Sequence, residues 1–311
     1  MQGRFTVLAS GSSGNAALLE VGDFGLLIDC GVHPRMLTAR LAEVGANWDS
    51  IKAVILTHTH GDHWKDAALA DLRSRKIPLW AHAAHHDDLA RAATAFESLR
   101  RASLLREYEA DRLFQIAPGL NVRPSGVSHD SEPTFAFRID HHWEDNLAWS
   151  VGYASDLGCV SSELIELYAG VDVLALEYNH DVKMERASRR PRFLIERVLG
   201  DYGHLSNEQA GELTAAIAAR SGTGFPAHLV QLHLSRECNR PALAAAAGRA
   251  ALRSLNPKTE IITAKPDAAT RSIPLARSAD ADRRLAARAL PAVAKPPRTG
   301  CTTPSLPGLE G

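Results

Sequence analysis

The stretch AVILTHTHGDH, residues 53–63, sets an apolar run directly before three histidines and an aspartate. A short apolar run of this kind, bounded by polar residues, reads as a buried strand. Ligating groups are therefore concentrated at the strand's mouth. If the chain leaves the strand extended, His58 and His60 project to one side, because side chains repeat every two residues. Asp62 and His63 then fall where a helix begins, and can aim at a second point close by. Neutral imidazole and carboxylate suit zinc, manganese or iron, and two such ions held close together can share a hydroxide. The spacing H-x-H-x-D-H fits two metals better than one. A lone histidine is more often a plain polar surface residue, but four ligating groups behind one buried strand reverse that expectation.

Composition bounds the rest. A chain of 311 residues, 45% hydrophobic and 6% aromatic, can bury a sizeable core as one large or two ordinary domains. The formal charge of -1 gives no whole-molecule field that draws the protein to nucleic acid or anionic lipid, so any basic surface must be local. Cys30, Cys159, Cys238 and Cys301 are scattered, form no C-x-x-C pair and are too few to staple a chain this long, which suggests a reducing compartment. The opening MQGRFTVLASGSSGN breaks into Ser and Gly before a signal-peptide core can form, and no later stretch is apolar for long enough to span a bilayer. The expectation is a cytoplasmic protein with no membrane partner.

Along the chain, RFTVLAS, AALLEV and LLIDCG read as three strands of a meander, the last two joined by the hairpin signal GDFG. PRMLTARLAEVG has Leu37, Leu41 and Val44 at helical spacing, starts on a proline and stops at Gly45. HWKDAALADLRSR reads as a helix and IPLWAH as a strand. Further strands are expected at 120–128, 134–140, 148–154 and 171–178. A helix over 206–220 carries a capping box, Ser206 with Gln209, and AHLVQLHLS follows it as a strand. Helix PALAAAAGRAALRSL and strand EIITA close the ordered part, which implies a layered α/β architecture with helices covering sheets. From 268 the composition shifts to Ala, Arg and Pro, so the domain is set at 1–267 and 268–311 is expected to be a disordered tail.

THTHGDH after a strand resembles the signature of the metallo-β-lactamase superfamily, T-H-x-H-x-D-H. The resemblance implies an αββα sandwich of two mixed β-sheets flanked by helices, α/β in class or α+β by some schemes. It also implies the remaining ligands. His129 in GVSHDSEP matches the third ligand of the first metal, Asp156 in YASDLG the bridging carboxylate, and His233 in LVQLHLSRE the last ligand of the second metal. One set is then His58, His60 and His129, the other Asp62, His63 and His233, with Asp156 shared. Two divalent ions are implied, zinc or manganese foremost and iron also compatible. Asp29 in LLIDCG matches an acidic position of the family behind the ligands, where a plain turn residue is the competing reading.

The fold hosts many chemistries, so details must choose among them. The secreted β-lactamases carry a signal and a cysteine ligand, whereas Asp156 occupies that strand end here and Cys159 reads as packing. Thioesterases of the fold usually have glycine shortly after the motif, where this chain has Asp66. GHLSNEQA and LEYNHD resemble motifs of the nuclease branch, in which a histidine partnered by a glutamate donates a proton to the leaving oxygen. His204 is assigned as donor, Glu177 as its orienting partner and His180 as a second candidate, with Asp62 grouped among the catalytic side chains. Capping of its helix is the competing reading for His204.

Between those motifs VKMERASRRPRFLIER offers Lys183, Arg186, Arg189, Arg190 and Arg192, with Arg197 beyond, against Glu185 and Glu196. Such a concentration can track a phosphate backbone or be a solvated helix face; its place between two site motifs favours a nucleic-acid contact. No aromatics are read as interleaved with the basic residues, which argues against base stacking as the main grip.

The set LASGSSGN, LLIDCG, THTHGDH, SHD, SDLG, EYNHD, GHLSN and LHLSRECN is similar to the YycJ/WalJ group of this superfamily over roughly residues 4–265. That resemblance implies a metal-dependent phosphodiesterase degrading nucleic acid, DNA, from a 5′ end. Departures are Asp66, Cys238 in RECN and the segment HHWEDN; none removes a ligand. His129 and Asp156 lie too close for the tRNA arm of ribonuclease Z proteins, and Asp156 to His233 is too short for the clamp domain of ribonuclease J. The competing functions are a small-molecule ester, thioester or lactone hydrolase, and a non-catalytic metal-binding regulatory module. The sequence sets no oligomeric state.

Overall fold

A computed structural model describes residues 3–276 apart from 132 and 145. Its strands are β1 (Gly3–Ala9), β2 (Ala16–Val21), β3 (Phe24–Ile28), β4 (Ile51–Ile55), β5 (Leu79–His82), β6 (Leu105–Tyr108), β7 (Phe114–Ala117), β8 (Leu120–Val127), β9 (Thr134–Trp143), β10 (Asn146–Ala154), β11 (Val173–Glu177), β12 (His228–Leu232), β13 (Glu260–Thr263) and β14 (Ile273–Leu275). The helices are α1 (Pro34–Glu43), α2 (Asp66–Arg75), α3 (His86–Ala92), α4 (Thr94–Arg101), α5 (Ser162–Tyr168), α6 (Val182–Arg186), α7 (Arg192–Leu199), α8 (Asn207–Ser221) and α9 (Pro241–Leu252).

The strands form two seven-stranded sheets, in the orders β14-β1-β2-β3-β4-β5-β6 and β13-β12-β11-β10-β9-β8-β7. Each sheet is antiparallel at one end and parallel at the other: β3 to β6 run parallel in the first, β10 to β13 in the second. Period-two alternation sorts the side chains. Phe5, Val7, Leu19, Leu26, Ile28 and Ile55 of one sheet meet Phe135, Phe137, Ile139, Trp149, Val151 and Val230 of the other in a single core. The opposite faces bury Leu18, Leu27 and Val54 under Leu37 and Leu41 of α1, Leu69 and Leu72 of α2 and Phe96 of α4. Leu174, Leu176 and Leu229 lie under Leu164 of α5, Leu213 and Ile217 of α8 and Leu252 of α9. This is the expected αββα sandwich of two mixed sheets.

Three expectations need correction. Helix α2 begins at Asp66 and not at the ligands themselves. The carboxylate of Asp66 accepts the Ala95 N–H at 2.8 Å and the Thr94 hydroxyl at 2.7 Å, so it ties α2 to the start of α4 and leaves residues 56–65 as a loop. The ordered part also runs past 267: β14 pairs antiparallel with β1, Ile273 facing Phe5, and the buried Ile273 and Leu275 join the core. The rest of the expected tail, from 277 on, lies outside the described residues. Cys30 and Cys238 are buried free thiols, but Cys159, read from the sequence as packing, is disulfide-bonded. No helix among the described residues is long and apolar enough to cross a membrane.

Candidate metal centre

The centre lies where parallel strands end. After β4 the chain turns back on itself: the His63 N–H donates to the His60 carbonyl at 2.9 Å and the Trp64 indole to the Thr59 carbonyl at 2.8 Å. Two neighbouring segments clamp this loop, as the Cys30 N–H reaches the His63 carbonyl at 2.9 Å and the Asn15 N–H the Asp62 carbonyl at 2.8 Å. Gly31 makes the approach possible; a Cβ there would sit 1.7 Å from the Asp62 carbonyl oxygen.

Among the described residues four groups of candidate donors have their atoms within 4.8 Å of one another, and two of these are the expected sets: His58, His60 and His129, and Asp62, His63 and His233. Asp156 stands between them. Its carboxylate is 2.9 Å from His63 Nε2, 3.2 Å from His233 Nδ1 and 3.9 Å from His129 Nε2. Across the first set His129 Nε2 faces His60 Nδ1 at 3.2 Å, and across the second His233 Nε2 faces the Asp62 carboxylate at 3.4 Å. All seven are drawn into one cleft, each from the end or the loop of a strand: β4, β8, β10 and β12.

Groups behind the ligands set their orientation. Asp29 holds His63 Nδ1 at 2.7 Å and is itself fixed by the Thr57 N–H and hydroxyl at 2.8 and 2.9 Å. His129 Nδ1 donates to the Gly203 carbonyl at 2.9 Å, which leaves Nε2 for the cleft. The Asn15 amide lies 3.2 Å from the Asp62 carboxylate and 3.1 Å from His63 Nε2. Asn179 donates to the His233 carbonyl at 2.8 Å. Asn15 and Asn179 were not singled out from the sequence, although both stand inside its motifs, GSSGN and EYNHD. Asp29, Asp156 and His233 take left-handed backbone, φ 62, 59 and 54°, the strained geometry that collects at functional sites.

Electrostatics asks for cations. His58 Nε2 is buried with no hydrogen-bond partner while its Nδ1 meets the Thr57 hydroxyl at 3.0 Å. A bare buried nitrogen aimed at two more imidazoles suits a metal ligand, and the donor set of imidazoles and carboxylates suits a divalent ion. Burial alone would raise the Asp156 pKa, but the charges of His233 and His63 hold its carboxyl well below the usual range. Burial would likewise lower His63, yet Asp29 and Asp156 push it up to about 10. The cleft thus holds buried carboxylates in ionised form against imidazoles, and these residues fit metal binding.

His204 and Glu177 come together beside the same cleft. His204 Nδ1 is 2.7 Å from the Glu177 carboxylate, and its ring centroid lies 5.0 Å from that of His129 and 5.1 Å from that of His233. Burial works to lower the His204 pKa, but the Glu177 charge and hydrogen bond outweigh it and raise it. Glu177 also accepts the Leu157 and Leu205 N–H groups at 2.8 and 3.1 Å. His180 is different: it is buried, both ring nitrogens lack a partner, and it belongs to neither ligand set.

The basic stretch divides. Lys183, Arg186 and Arg189 are exposed. Arg192 pairs with Glu196 at 2.8 Å on the helix surface. Arg190 turns inward, reaching Glu185 at 3.1 Å, Glu237 at 2.7 Å and Ser235 at 3.3 Å, so its guanidinium is engaged by the protein and is not offered to a substrate. Arg197, outside the expected contact set, reaches Asp130, whose other oxygen is 3.3 Å from His129 Nε2 and 3.4 Å from His60 Nε2.

Fold and cleft define a metallo-β-lactamase-type hydrolase, and residues 25–233 match the β-lactamase superfamily domain, to which the chain belongs. Among curated relatives, the exodeoxyribonuclease YycJ of Bacillus anthracis is 30% identical over 249 residues, covering 77% of this chain and 85% of that protein. The exodeoxyribonuclease WalJ of Streptococcus pneumoniae is 27% identical over 216 residues, 67% of this chain and 74% of that one. The metallo-β-lactamase fold protein YhfI from Bacillus subtilis superposes with a TM-score of 0.62 at 20% identity, over 87% of this chain and 99% of that one, a likeness of fold alone.

Proposed function

We propose that the protein is a binuclear metal-dependent phosphodiesterase that degrades DNA from a 5′ end. His58, His60 and His129 would hold one ion, Asp62, His63 and His233 the other, and Asp156 would face both. Two such ions, zinc or manganese, supply Lewis acidity to a phosphoryl oxygen and lower the pKa of a water. The chain's own residues do the rest. Asp29 and the Gly203 carbonyl keep His63 and His129 turned to the cleft. Glu177 holds Nδ1 of His204, leaving the other ring nitrogen to deliver a proton to the departing 3′ oxygen. The observation that carries the reading is this pair: a histidine with a raised pKa, glutamate-bound, beside ligands of both sets. A thioester hydrolase needs no such donor, because its thiolate departs as an anion, whereas a 3′ oxygen leaves as an alkoxide that must be protonated. The relatedness to two exodeoxyribonucleases supports a nucleic-acid substrate, and a cytoplasmic setting goes with it.

The test is to incubate end-labelled single- and double-stranded DNA and RNA with the protein under several divalent metals, with and without a 5′ phosphate. Short products released from the 5′ end of DNA by wild type, and none by His58→Ala, are expected. If no phosphodiester is cleaved, and thioesters or lactones are, the small-molecule reading takes its place.

A further inference from the structure

We propose that the turn of residues 11–14 and the guanidinium of Arg236 form a second anion seat beside the metal cleft, which takes a phosphate of the substrate other than the one cleaved. The inference rests on the nuclease reading and adds to it where the polyanion is held.

The turn is fastened to the second ligand set at both ends. On one side the Ser10 hydroxyl oxygen accepts the His233 N–H at 2.8 Å. On the other the Asn15 N–H donates to the Asp62 carbonyl at 2.8 Å, and the Asn15 side-chain nitrogen lies 3.2 Å from the Asp62 carboxylate. Between these anchors the Gly14 N–H closes on the Gly11 carbonyl at 2.9 Å, and the Asn15 side-chain oxygen accepts the Gly11 N–H at 2.9 Å. Gly14 has φ 154°, and a Cβ on it would stand 2.6 Å from the Gly31 carbonyl oxygen, so only glycine lets the turn lie this close. The turn therefore holds a fixed position relative to Asp62 and His233.

Its tip is polar and open. Ser12 and Ser13 are exposed, and among the described residues no acceptor meets the N–H of either. Successive bare N–H groups on a turn make a concavity that binds anions. Arg236 supplies the charge. It stands three residues after His233, is exposed, and its Nη2 donates to the Ser13 hydroxyl at 3.2 Å. The adjacent Glu237 is taken by Arg190 at 2.7 Å, and no carboxylate pairs with Arg236 among the described residues. Lys265 adds a second exposed cation next to the turn, its carbonyl accepting the Ser10 N–H at 3.0 Å. Arg190 also joins this loop to the stretch that carries the exposed Lys183, Arg186 and Arg189, the cations expected to follow a phosphate backbone. That stretch is not free of aromatics as expected, since Phe193 of RPRFLIER is exposed, but the seat makes no use of it.

Bare amides beside an unpaired guanidinium are complementary to a phosphate, and a neutral ester or lactone offers them nothing. A nucleic acid carries one phosphate per nucleotide, so a strand held at the ions brings further anions to the loops around the cleft. The turn and Arg236 stand beside the second ligand set to receive one of them.

The probe is a phosphorothioate-linked DNA duplex labelled at its 3′ ends, with and without a 5′ phosphate, titrated with metal-loaded protein and followed by anisotropy. The log affinity of wild type should fall as log salt rises. Arg236→Gln, which keeps a donor for Ser13, should lower that slope by about 0.9, the share of one phosphate, while Arg236→Lys keeps it. Ser12→Asp, which sets a carboxylate on the turn, should weaken binding, and Ser12→Asn should not. A lowered slope on both duplexes puts an internucleotide phosphate in the seat; a lowered slope on the 5′-phosphorylated duplex alone puts the terminal phosphate there. An unchanged slope in Arg236→Gln, the same loss in Arg236→Lys, metal content that falls in step with affinity, or no binding by wild type overturns the proposal. Wild type that binds as described but cleaves no phosphodiester sinks the nuclease reading and leaves the seat standing, and cleavage of DNA with an unchanged slope in Arg236→Gln does the reverse.

Discussion

Asp29 makes no contact that a metal ligand makes, yet it holds His63 Nδ1 at 2.7 Å from a fully buried position. Replacing it with Asn keeps an acceptor for the Thr57 N–H but removes the charge that fixes the imidazole. Metal affinity of Asp29→Asn should fall on the order of 10- to 100-fold, measured by competition with a chelator, while the folded state persists. His204→Ala should act on the reaction and not on loading: kcat on an oligonucleotide should drop by roughly 10² or more, with metal content unchanged and a much smaller loss on a substrate whose leaving group is p-nitrophenolate. An equal loss on both substrates would show His204 to be a structural residue. At this scale the sequence was readable where residues cluster locally, as in His58, His60, Asp62 and His63. Asn15 and Asn179 escaped because their partners lie 47 and 54 positions away, and an asparagine in a Gly- and Ser-rich turn looks like any turn residue.

The stretch from α6 to α7 carries both a structural charge set and the one proposed to meet the substrate, and the two respond differently to substitution. Glu185 is fully buried and Arg190 is its cation, with 22% of the arginine side chain exposed. Arg190→Ala should therefore destabilise the protein by roughly 2 kcal/mol, below the full cost of an orphaned buried charge because water reaches the pair, and a lowered melting temperature would show it. Arg189→Ala, on an exposed residue, should leave the melting temperature in place and reduce the salt dependence of DNA binding. Element reading from sequence worked for the strands with clean period-two or continuous apolar patterns and for α8, whose capping box is present in full. It placed the start of α2 too early because the apolar pattern cannot show that Asp66 caps a different helix. β14 was hidden because a three-residue edge strand has no periodicity to detect.

At the scale of the whole molecule, the two sheets bring the ends of β3, β4, β8, β10, β11 and β12 to one centre, which is assembled from side chains as far apart in sequence as Asp29 and His233. The layered α/β class was legible from the order of apolar segments, whereas the two-sheet sandwich and the convergence of the ligands were inferred by resemblance and not by pattern. Acid should weaken the assembly through His85, which is buried against the Pro133 carbonyl at 2.8 Å with Nδ1 unpartnered, and whose pKa burial lowers from 6.5 to about 4. The folded state disfavours its proton, so stability is undiminished above pH 6.5 and declines as pH falls from 6.5 to 4, by on the order of 3 kcal/mol. Denaturant titrations of His85→Gln should show a shallower decline over that window than wild type. The central claim is that one rim holds two neighbouring ions, and anomalous diffraction from crystals of the metal-loaded protein tests it most directly. Two peaks are predicted, one among His58, His60 and His129 and one among Asp62, His63 and His233, with Asp156 between them; a single peak, or none at these side chains, would contradict the account.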